Sequence, residues 1–231
     1  MIRFEGVAKR YRNGREALSN VSLHIAPGEM VFMTGRSGAG KSTVLKLIAL
    51  LERPTRGRVS VGGADTGRLK ARRVPAFRRR VGVVFQDHRL LIDRPVFDNV
   101  ALPLIVAGSS LKEIDKRVRA ALDQVGLLGS ERRLPAELSV GEQQRVGIAR
   151  AIISRPPILI ADEPTGNLDP QLATEVMALF RRLNDVGVTV VVATHDLHLV
   201  RESGLRSIVL ENGHVAGAEP SGVLPVIEAK R

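Results

Sequence analysis

The clearest candidate for chemistry is Gly35-Arg-Ser-Gly-Ala-Gly-Lys-Ser42, which matches the pattern G-x-x-x-x-G-K-[ST]. Glycines let a backbone wrap closely around phosphate oxygens, and a helix that begins at such a loop adds its positive N-terminal dipole. Lys41 supplies a full charge to the β and γ phosphates, and the Ser42 hydroxyl is a ligand for Mg²⁺. The segment therefore predicts a loop that holds a nucleoside triphosphate through Gly35, Arg36, Ser37, Gly38, Ala39, Gly40, Lys41, Ser42 and Thr43.

A second candidate is a pair of acids at the end of the apolar run Ile158-Leu-Ile-Ala161. Such a run predicts a central strand, and ligands of open α/β sheets bind at the carboxyl ends of the strands. Asp162 at that end is expected to hold magnesium through water, and Glu163 is placed to polarise the water that attacks the γ-phosphate. Together with the phosphate loop, the two acids predict hydrolysis of the nucleotide.

These residues need a parallel sheet to position them. Strands are predicted from alternating or fully apolar patterns at Val21–Ile25, Met30–Met33, Val81–Phe85, Ile158–Ala161 and Val188–Ala193. Helices are predicted at Lys41–Leu51, Leu111–Val125, Gly141–Ser154 and Pro170–Asp185, the last with proline in its first turn and Gly187 just after its end. Strands that alternate with helices predict an α/β fold with parallel strands.

The segment between residues 87 and 155 is mostly helical in its periodicity and predicts a subdomain inserted in the α/β core. We expect one domain over residues 1–231. Residues 1–86 and 156–216 form the core, 87–155 the helical subdomain and 217–231 a loosely held C-terminal tail.

Leu138-Ser-Val-Gly-Glu-Gln-Gln-Arg145 lies just upstream of the acidic pair. Ser139 and Glu142 have the spacing of a capping box, so an ordinary helix start explains them equally well. The segment also resembles the L-S-G-G-Q signature of ATP-binding-cassette (ABC) proteins. That resemblance implies an ATPase with a P-loop fold, in which Ser139, Gly141 and Glu142 contact the ATP held by a second subunit. It also implies a mainly parallel core sheet and an antiparallel N-terminal β subdomain.

Other segments resemble further ABC elements in the expected order. Gln86 is similar to the Q-loop glutamine, which binds magnesium and forms a hydrogen bond with the attacking water. Gly166-Asn-Leu-Asp169 is similar to the D-loop. His195 is similar to the switch histidine and Tyr11 to the aromatic residue that stacks on adenine. The resemblance thus implies Glu163, His195, Lys41 and Gln86 as catalytic residues, with Ser42, Gln86 and Asp162 around Mg²⁺.

The chain departs from the signature at Val140, which stands where the family has its first glycine. A β-branched residue resists a positive φ, so a site that needs this conformation would be weakened. If the position is helical or extended, the valine costs little. Because Gly141 is retained, we expect the second case.

Longer segments, among them Phe85-Gln-Asp-His-Arg-Leu-Leu91 and Asp98-Asn-Val-Ala-Leu-Pro-Leu-Ile105, resemble the cell-division branch of the ABC family. That branch implies a homodimer in the ATP-bound state, an integral membrane subunit, cytoplasmic components of the division machinery and a place at the cytoplasmic face of the bacterial inner membrane. The alternative is a subunit of a lipoprotein-release or macrolide-export transporter. An ATP-gated interaction protein and a chromosome-structure ATPase are further alternatives, although the spacing leaves no room for the long heptad arms of the latter.

Composition limits the remaining classes of function. With no cysteine, the chain has no disulfide framework and no thiolate metal site. The stretch Val100–Gly108 is apolar but half as long as a membrane span. The net charge of +11 attracts anionic partners, yet one tyrosine and no tryptophan disfavour binding of single-stranded nucleic acid. The basic run Arg68–Arg80 is expected to be a solvated helix face.

Overall fold

A computed structural model of the chain describes residues 1–166 and 168–219. In this part of the chain the strands are β1 Ile2–Arg10, β2 Glu16–Ile25, β3 Met30–Thr34, β4 Arg56–Val61, β5 Ala64–Asp65, β6 Val81–Val84, β7 Ile158–Asp162, β8 Thr189–Ala193, β9 Ser207–Glu211 and β10 His214–Glu219. The helices are α1 Lys41–Ile48, α2 Val74–Arg78, α3 Val96–Ala107, α4 Leu111–Gln124, α5 Val140–Ile152, α6 Pro170–Asp185 and α7 Leu197–Ser203.

The chain divides into two compact units. The first consists of Met1–Ala71 and Val191–Arg231, and the second of Arg72–Val190. The second unit contains the helices of the predicted 87–155 subdomain together with β6, β7 and α6. The finer boundaries expected for the core, the helical subdomain and the tail stay a prediction.

An antiparallel sheet in the order β2-β1-β4-β5 forms one part of the first unit. Its inward side chains alternate with exposed ones along β1, where Ile2, Phe4 and Val7 are buried. Ile2 and Phe4 follow the period of two expected of a strand with one buried face, and an irregularity in the pairing between Phe4 and Val7 shifts that period by one residue. Unlike β1, β3 is buried along its whole length, as a central parallel strand should be.

The same unit contains β3, whose carboxyl end leads into the phosphate loop. β3 pairs in parallel with β9, and β9 pairs in antiparallel fashion with β10. The turn between β9 and β10 is Asn212-Gly213, and both residues have positive φ, at 48° and 79°. Asn-Gly is the sequence that favours such a hairpin turn.

In the second unit, β6 pairs in parallel with β7, from Val81 opposite Ile158 to Val84 opposite Ala161. Gly82 permits α5 to pack directly on β6, because a Cβ there would lie 2.5 Å from the Ala151 carbonyl oxygen. Helices α3, α4 and α5 pack against one another around Val100, Val118 and Ile148, each of which is fully buried.

The structure confirms the predicted fold class, an α/β fold with a mainly parallel sheet and an antiparallel N-terminal sheet. The predicted helix Pro170–Asp185 is confirmed with the same first and last residues. At its start, Asp169 caps the helix and Pro170 occupies the first turn. The strand before the phosphate loop ends at Thr34, one residue later than predicted, and the helix after it ends at Ile48, three residues earlier than predicted. In the described residues no helix is long and apolar enough to cross a membrane.

The structure describes the predicted C-terminal tail and the D-loop-like segment only in part, and it describes the whole basic run. The tail expected from residue 217 stays a prediction, and its first residues, 217–219, belong to β10, in which Gly217 pairs with Val209 of β9. Residues 220–231 and Asn167, a member of the D-loop-like segment, lie outside the described residues. The basic run contains the short α-helix α2, in which Phe77 is buried and Arg78, its one cation, is exposed; Arg72, Arg73, Arg79 and Arg80 beside it are exposed as well.

Candidate nucleotide site

The predicted phosphate loop leaves β3 at Gly35 and enters α1 at Lys41. Gly35, Gly38 and Gly40 have φ values of 142°, 81° and 112°, which disfavour L-residues. A Cβ at Gly35 would lie 2.2 Å from the Leu210 carbonyl oxygen, and one at Gly40 would lie 2.8 Å from that of Ala17. The loop is therefore a glycine-dependent backbone cradle, shaped as binding to phosphate requires.

Lys41 closes this cradle from the inside. Its ammonium group donates to the Gly35 carbonyl oxygen at 2.7 Å, although the side chain is 8% exposed. The Gly213 N–H donates to the Ala39 carbonyl oxygen at 3.1 Å, so the β9–β10 turn supports the loop from behind. Ser42 follows in the first turn of α1 and is half-buried. A cation, a hydroxyl and the N-terminus of a helix thus converge on one loop.

Tyr11, the predicted adenine contact, lies in the loop between β1 and β2. Its hydroxyl lies 3.3 Å from Thr43 Oγ1, which ties it to the first turn of α1. The Lys9 ammonium lies 5.1 Å from the centroid of its ring, within the range of a cation–π contact. The half-buried ring thus stands beside the phosphate loop, where a base attached to those phosphates would reach it.

His195 lies at the same edge of the first unit. The preceding residue, Thr194, donates its N–H to the Met33 carbonyl oxygen at 3.0 Å, so the chain that leaves β8 runs beside the end of β3. Asp196 then caps α7 through its carboxylate. His195 is exposed between these two fixed residues.

In the second unit the structure brings Gln86, Asp162 and Glu163 to one edge. Val84 opposite Ala161 is the last pair of the two strands; Gln86 lies two residues beyond Val84, and Asp162 and Glu163 directly follow Ala161. Glu163 has a φ of 49°, rare for glutamate, and its carbonyl oxygen accepts the Gly166 N–H at 3.3 Å. A carboxylate on a strained turn at the end of a central strand is typical of a functional position.

The signature-like segment forms the N-terminus of α5. Ser139 Oγ accepts the Glu142 N–H at 3.2 Å, and the Glu142 carboxylate accepts the Ser139 N–H at 2.7 Å, which confirms the capping box. That backbone hydrogen bond and Arg133, 3.0 Å away, hold the pKa of Glu142 below its ordinary value. Ser139 and Val140 are exposed, so this helix N-terminus is accessible to a partner.

Val140 is the first residue of α5 and does not belong to the positive-φ residues of the described chain. The expectation that valine is compatible with the backbone at this position is confirmed. Gly141 is also helical, and a Cβ there would lie 3.0 Å from Leu172 Cδ2. Gln144, in the next turn, donates to the Pro164 carbonyl oxygen at 3.0 Å and so joins α5 to the loop after Glu163.

The loop after Gln86 is held by contacts that sequence reasoning missed. His88 and Arg89 both have φ near 50°, and the guanidinium of Arg150 donates to both of their carbonyl oxygens. Burial lowers the pKa of Arg150, an effect partly offset by Asp87. Farther along, Asn99 is fully buried and bonds both the N–H and the carbonyl of Leu91. No local sequence signal connects Arg150 to a loop about sixty residues earlier.

The backbone groups behind the phosphate loop were also missed, but here a signal exists. Gly213 supports the loop, and the Asn212-Gly213 dipeptide that forms its turn is a recognisable hairpin sequence. In the described residues no group of three or more histidine, cysteine or acidic side chains could hold a metal.

Comparison with known proteins gives one consistent family. The model of the ABC transporter family matches residues 18–166. The chain is 56% identical over 217 residues to the cell division ATP-binding protein FtsE of Escherichia coli K12, which covers 94% of this chain and 98% of that protein. It is 46% identical over 222 residues to FtsE of Bacillus subtilis, with 96% and 97% covered.

A solved structure shares the fold over nearly the whole chain. The dimeric ATP-binding cassette MJ0796, in a post-hydrolysis state with ADP and Pi, superposes with a TM-score of 0.90 at 38% identity. The match covers 97% of this chain and 100% of that one. The chain therefore belongs to the ABC transporter ATPase family, in its FtsE cell-division group, and it is an enzyme that binds and hydrolyses ATP.

Proposed function

We propose that the chain drives an integral membrane subunit of the FtsX type from the cytoplasmic face of the bacterial inner membrane. In this proposal ATP-driven dimerisation is transmitted to the partner and activates peptidoglycan hydrolysis, in contact with cytoplasmic division components. The observation that carries the proposal is an apolar tip, Leu91 and Ile92, on the loop that begins at Gln86. Ile92 is 77% exposed and Leu91 41% exposed.

The phosphates of ATP would bind along Gly35–Ser42. The glycine backbone would supply N–H donors, and Lys41 would exchange its bonds to the Gly35 and Arg36 carbonyls for the β and γ phosphates. Tyr11 would stack on the adenine. The donors proposed for Mg²⁺, Ser42, Gln86 and Asp162, offer oxygen atoms, which are the ligands that this ion prefers. Bound there, Mg²⁺ would neutralise charge that develops on the phosphates.

Glu163 would accept a proton from the water that attacks the γ-phosphate. A positioned general base contributes about 10² to 10⁴ in rate. Gln86 would orient that water, and His195 would contact the γ-phosphate from the exposed loop between β8 and α7. Because Asp196 caps α7 and Thr194 is bonded to β3, the backbone on both sides of His195 is fixed.

Each site would be completed by a second copy of the chain. The exposed N-terminus of α5, with Ser139, Gly141 and Glu142, would face the γ-phosphate held by the other subunit, where the helix dipole favours an anion. The dimeric MJ0796 cassette supports this arrangement. ATP would stabilise the closed dimer by binding it preferentially, and hydrolysis would release it.

The loop from Gln86 to Arg94 would transmit this change. It starts at the nucleotide edge, is braced by Arg150 of α5 and by Asn99 of α3, and presents Leu91 and Ile92 on its surface. A shift of α5 on dimerisation would therefore move the apolar tip. An exposed apolar patch of this kind is typical of a protein contact.

Copurification from detergent extracts tests the proposal. We expect the native chain to retain an FtsX-like membrane protein, and Ile92→Asp to retain at least tenfold less of it. Leu111→Asp, at an equally exposed apolar residue on α4, is the matched control and should retain the partner. Retention of a lipoprotein-release or macrolide-export subunit would instead establish the transporter alternative. Equal retention by Ile92→Asp would show that the tip does not bind the partner.

A further inference from the structure

A groove on the second unit lies apart from every residue assigned to the nucleotide site. It has a volume of about 570 Å³ and runs between the C-terminal half of α4, the Arg155-Pro156-Pro157 loop and the end of α6. Its floor includes Ile152 and Ile153, which are 6% and 4% exposed, and its rim includes Val186, which is 79% exposed. The volume is in the range of sites that bind ligands.

A smaller hollow of about 220 Å³ adjoins it, and Gln124 lines both. Arg145 of α5 and Arg182 of α6 line this hollow. The buried Nε of Arg145 has no hydrogen-bond partner within residues 1–166 and 168–219. Arg145 itself is half-buried, so its side chain contributes positive charge to the wall of the hollow.

The charge of the combined surface, which we call the α4–α6 groove, is one-sided. Four arginines and one acid, Glu175, line it. Arg117 is already paired with Glu113 at 3.0 Å and also donates to the Ile153 carbonyl oxygen. The guanidinium groups of Arg155 and Arg182 form no ion pair with the described part of the chain. The groove thus offers unpaired cations around an apolar floor.

We infer that the α4–α6 groove docks an acidic, leucine-rich segment of a partner protein. Apolar side chains of the segment would cover Ile152 and Ile153, while carboxylates would meet Arg145, Arg155 and Arg182. A bilayer surface fits poorly, because it is too flat to reach the buried floor of a concave groove. Nucleic acid also fits poorly, since no aromatic side chain lines the groove to stack on a base.

The groove also has a connection to the site at the other end of its helices. α5 begins just after its cap Ser139 and reaches the groove at Ile152. α6 begins beside the D-loop-like segment and reaches the groove at Leu183. The docked segment would therefore touch the far ends of both helices without covering Ser139 or Gly141. Binding in the groove should accordingly be compatible with bound ATP.

An array of ten-residue synthetic peptides tests the inference, each with three leucines and three acidic residues in permuted positions. We expect members of the array to bind the full chain, with affinity that falls as salt rises. Peptides with lysine for the acids, or serine for the leucines, should bind at least tenfold more weakly. If no member binds, or if the lysine peptides bind equally well, the inference is wrong.

Variants locate the binding. The double variant Arg155→Glu and Arg182→Glu should bind the best acidic peptide at least tenfold more weakly than the native chain does. It should bind the lysine counterpart of that peptide more tightly. The double variant Arg72→Glu and Arg132→Glu, at two exposed arginines outside the groove, changes the net charge by the same amount and should change neither affinity more than twofold. Equal weakening by this control would assign the binding to net charge alone and would show that the groove is not the binding site. Preferential binding of RNA or of anionic vesicles over the peptides, abolished by the Arg155→Glu and Arg182→Glu double variant, would also overturn the inference.

Discussion

Replacing Gly40 by alanine tests whether the phosphate loop depends on its backbone. Gly40 immediately precedes α1, with φ 112° and ψ −1°. An alanine Cβ would lie 2.8 Å from the Ala17 carbonyl oxygen and 2.7 Å from Leu18 Cδ2. Neither contact can be kept, so the loop or β2 must move.

The expected loss of stability has two parts. An L-residue in a disfavoured region with positive φ costs about 1 to 3 kcal/mol. Forcing a methyl group into a packed site adds about 1 to 3 kcal/mol. Gly129→Ala is the matched control, because Gly129 has φ 92° but nothing within 4 Å of the added Cβ. Gly129→Ala should lose only the unfolding free energy that comes from the disfavoured φ.

Chemical denaturation without nucleotide measures both variants, and fluorescence titration with labelled ATP measures binding. We expect Gly40→Ala to lose about 2 to 6 kcal/mol of unfolding free energy and at least tenfold in ATP affinity. Gly129→Ala should bind ATP as the native chain does. If Gly40→Ala is no less stable than Gly129→Ala and binds ATP normally, the loop is not the cradle described above.

Three further predictions concern α5. Val140→Gly should leave the ATPase rate within about threefold and lower the unfolding free energy by up to about 1 kcal/mol, since glycine weakens a helix; a tenfold faster rate, about 1.4 kcal/mol of barrier, would show that valine impairs the site. Glu142→Gln should cost about 0.3 to 1 kcal/mol at neutral pH. Because the folded pKa of Glu142 lies below its ordinary value of 4.5, this difference should decline as pH falls below 4.5 and vanish once pH has fallen through the lowered folded pKa. A difference that persists in stronger acid would contradict the cause assigned to the shift. Arg150→Gln should speed proteolysis within residues 86–95, which limited digestion would detect; unchanged cleavage would mean that the Arg150 bonds do not brace the loop.

Local sequence signals predicted much of this fold. Asp169 and Pro170 define the start of α6, and Ser139 with Glu142 defines that of α5, because capping is decided within a few residues. β6 and β7 were predicted to within one residue, since buried parallel strands are continuous apolar runs. The phosphate loop was located by its glycines, whose positive φ values explain why those residues stand there.

Other features depend on contacts between distant residues. The helix α3 contains Pro103, and the sequence shows its Val100–Gly108 part only as a short apolar stretch, because the stability of this helix comes from packing on α4 and α5. The support of the phosphate loop by Gly213 and the bracing of the His88–Arg89 turn by Arg150 join segments far apart in the chain. Periodicity cannot reveal such pairs, because it reports only which face of an element is apolar.

Sedimentation of the Glu163→Gln variant tests the central claim most directly, namely that each ATP site is completed by a second copy of the chain. Without its general base the variant should hold ATP without hydrolysing it. We predict a dimer in saturating ATP and magnesium and a monomer without nucleotide, and we predict that adding Ser139→Glu restores the monomer by repelling the γ-phosphate. A Glu163→Gln chain that binds ATP and stays monomeric would contradict the account.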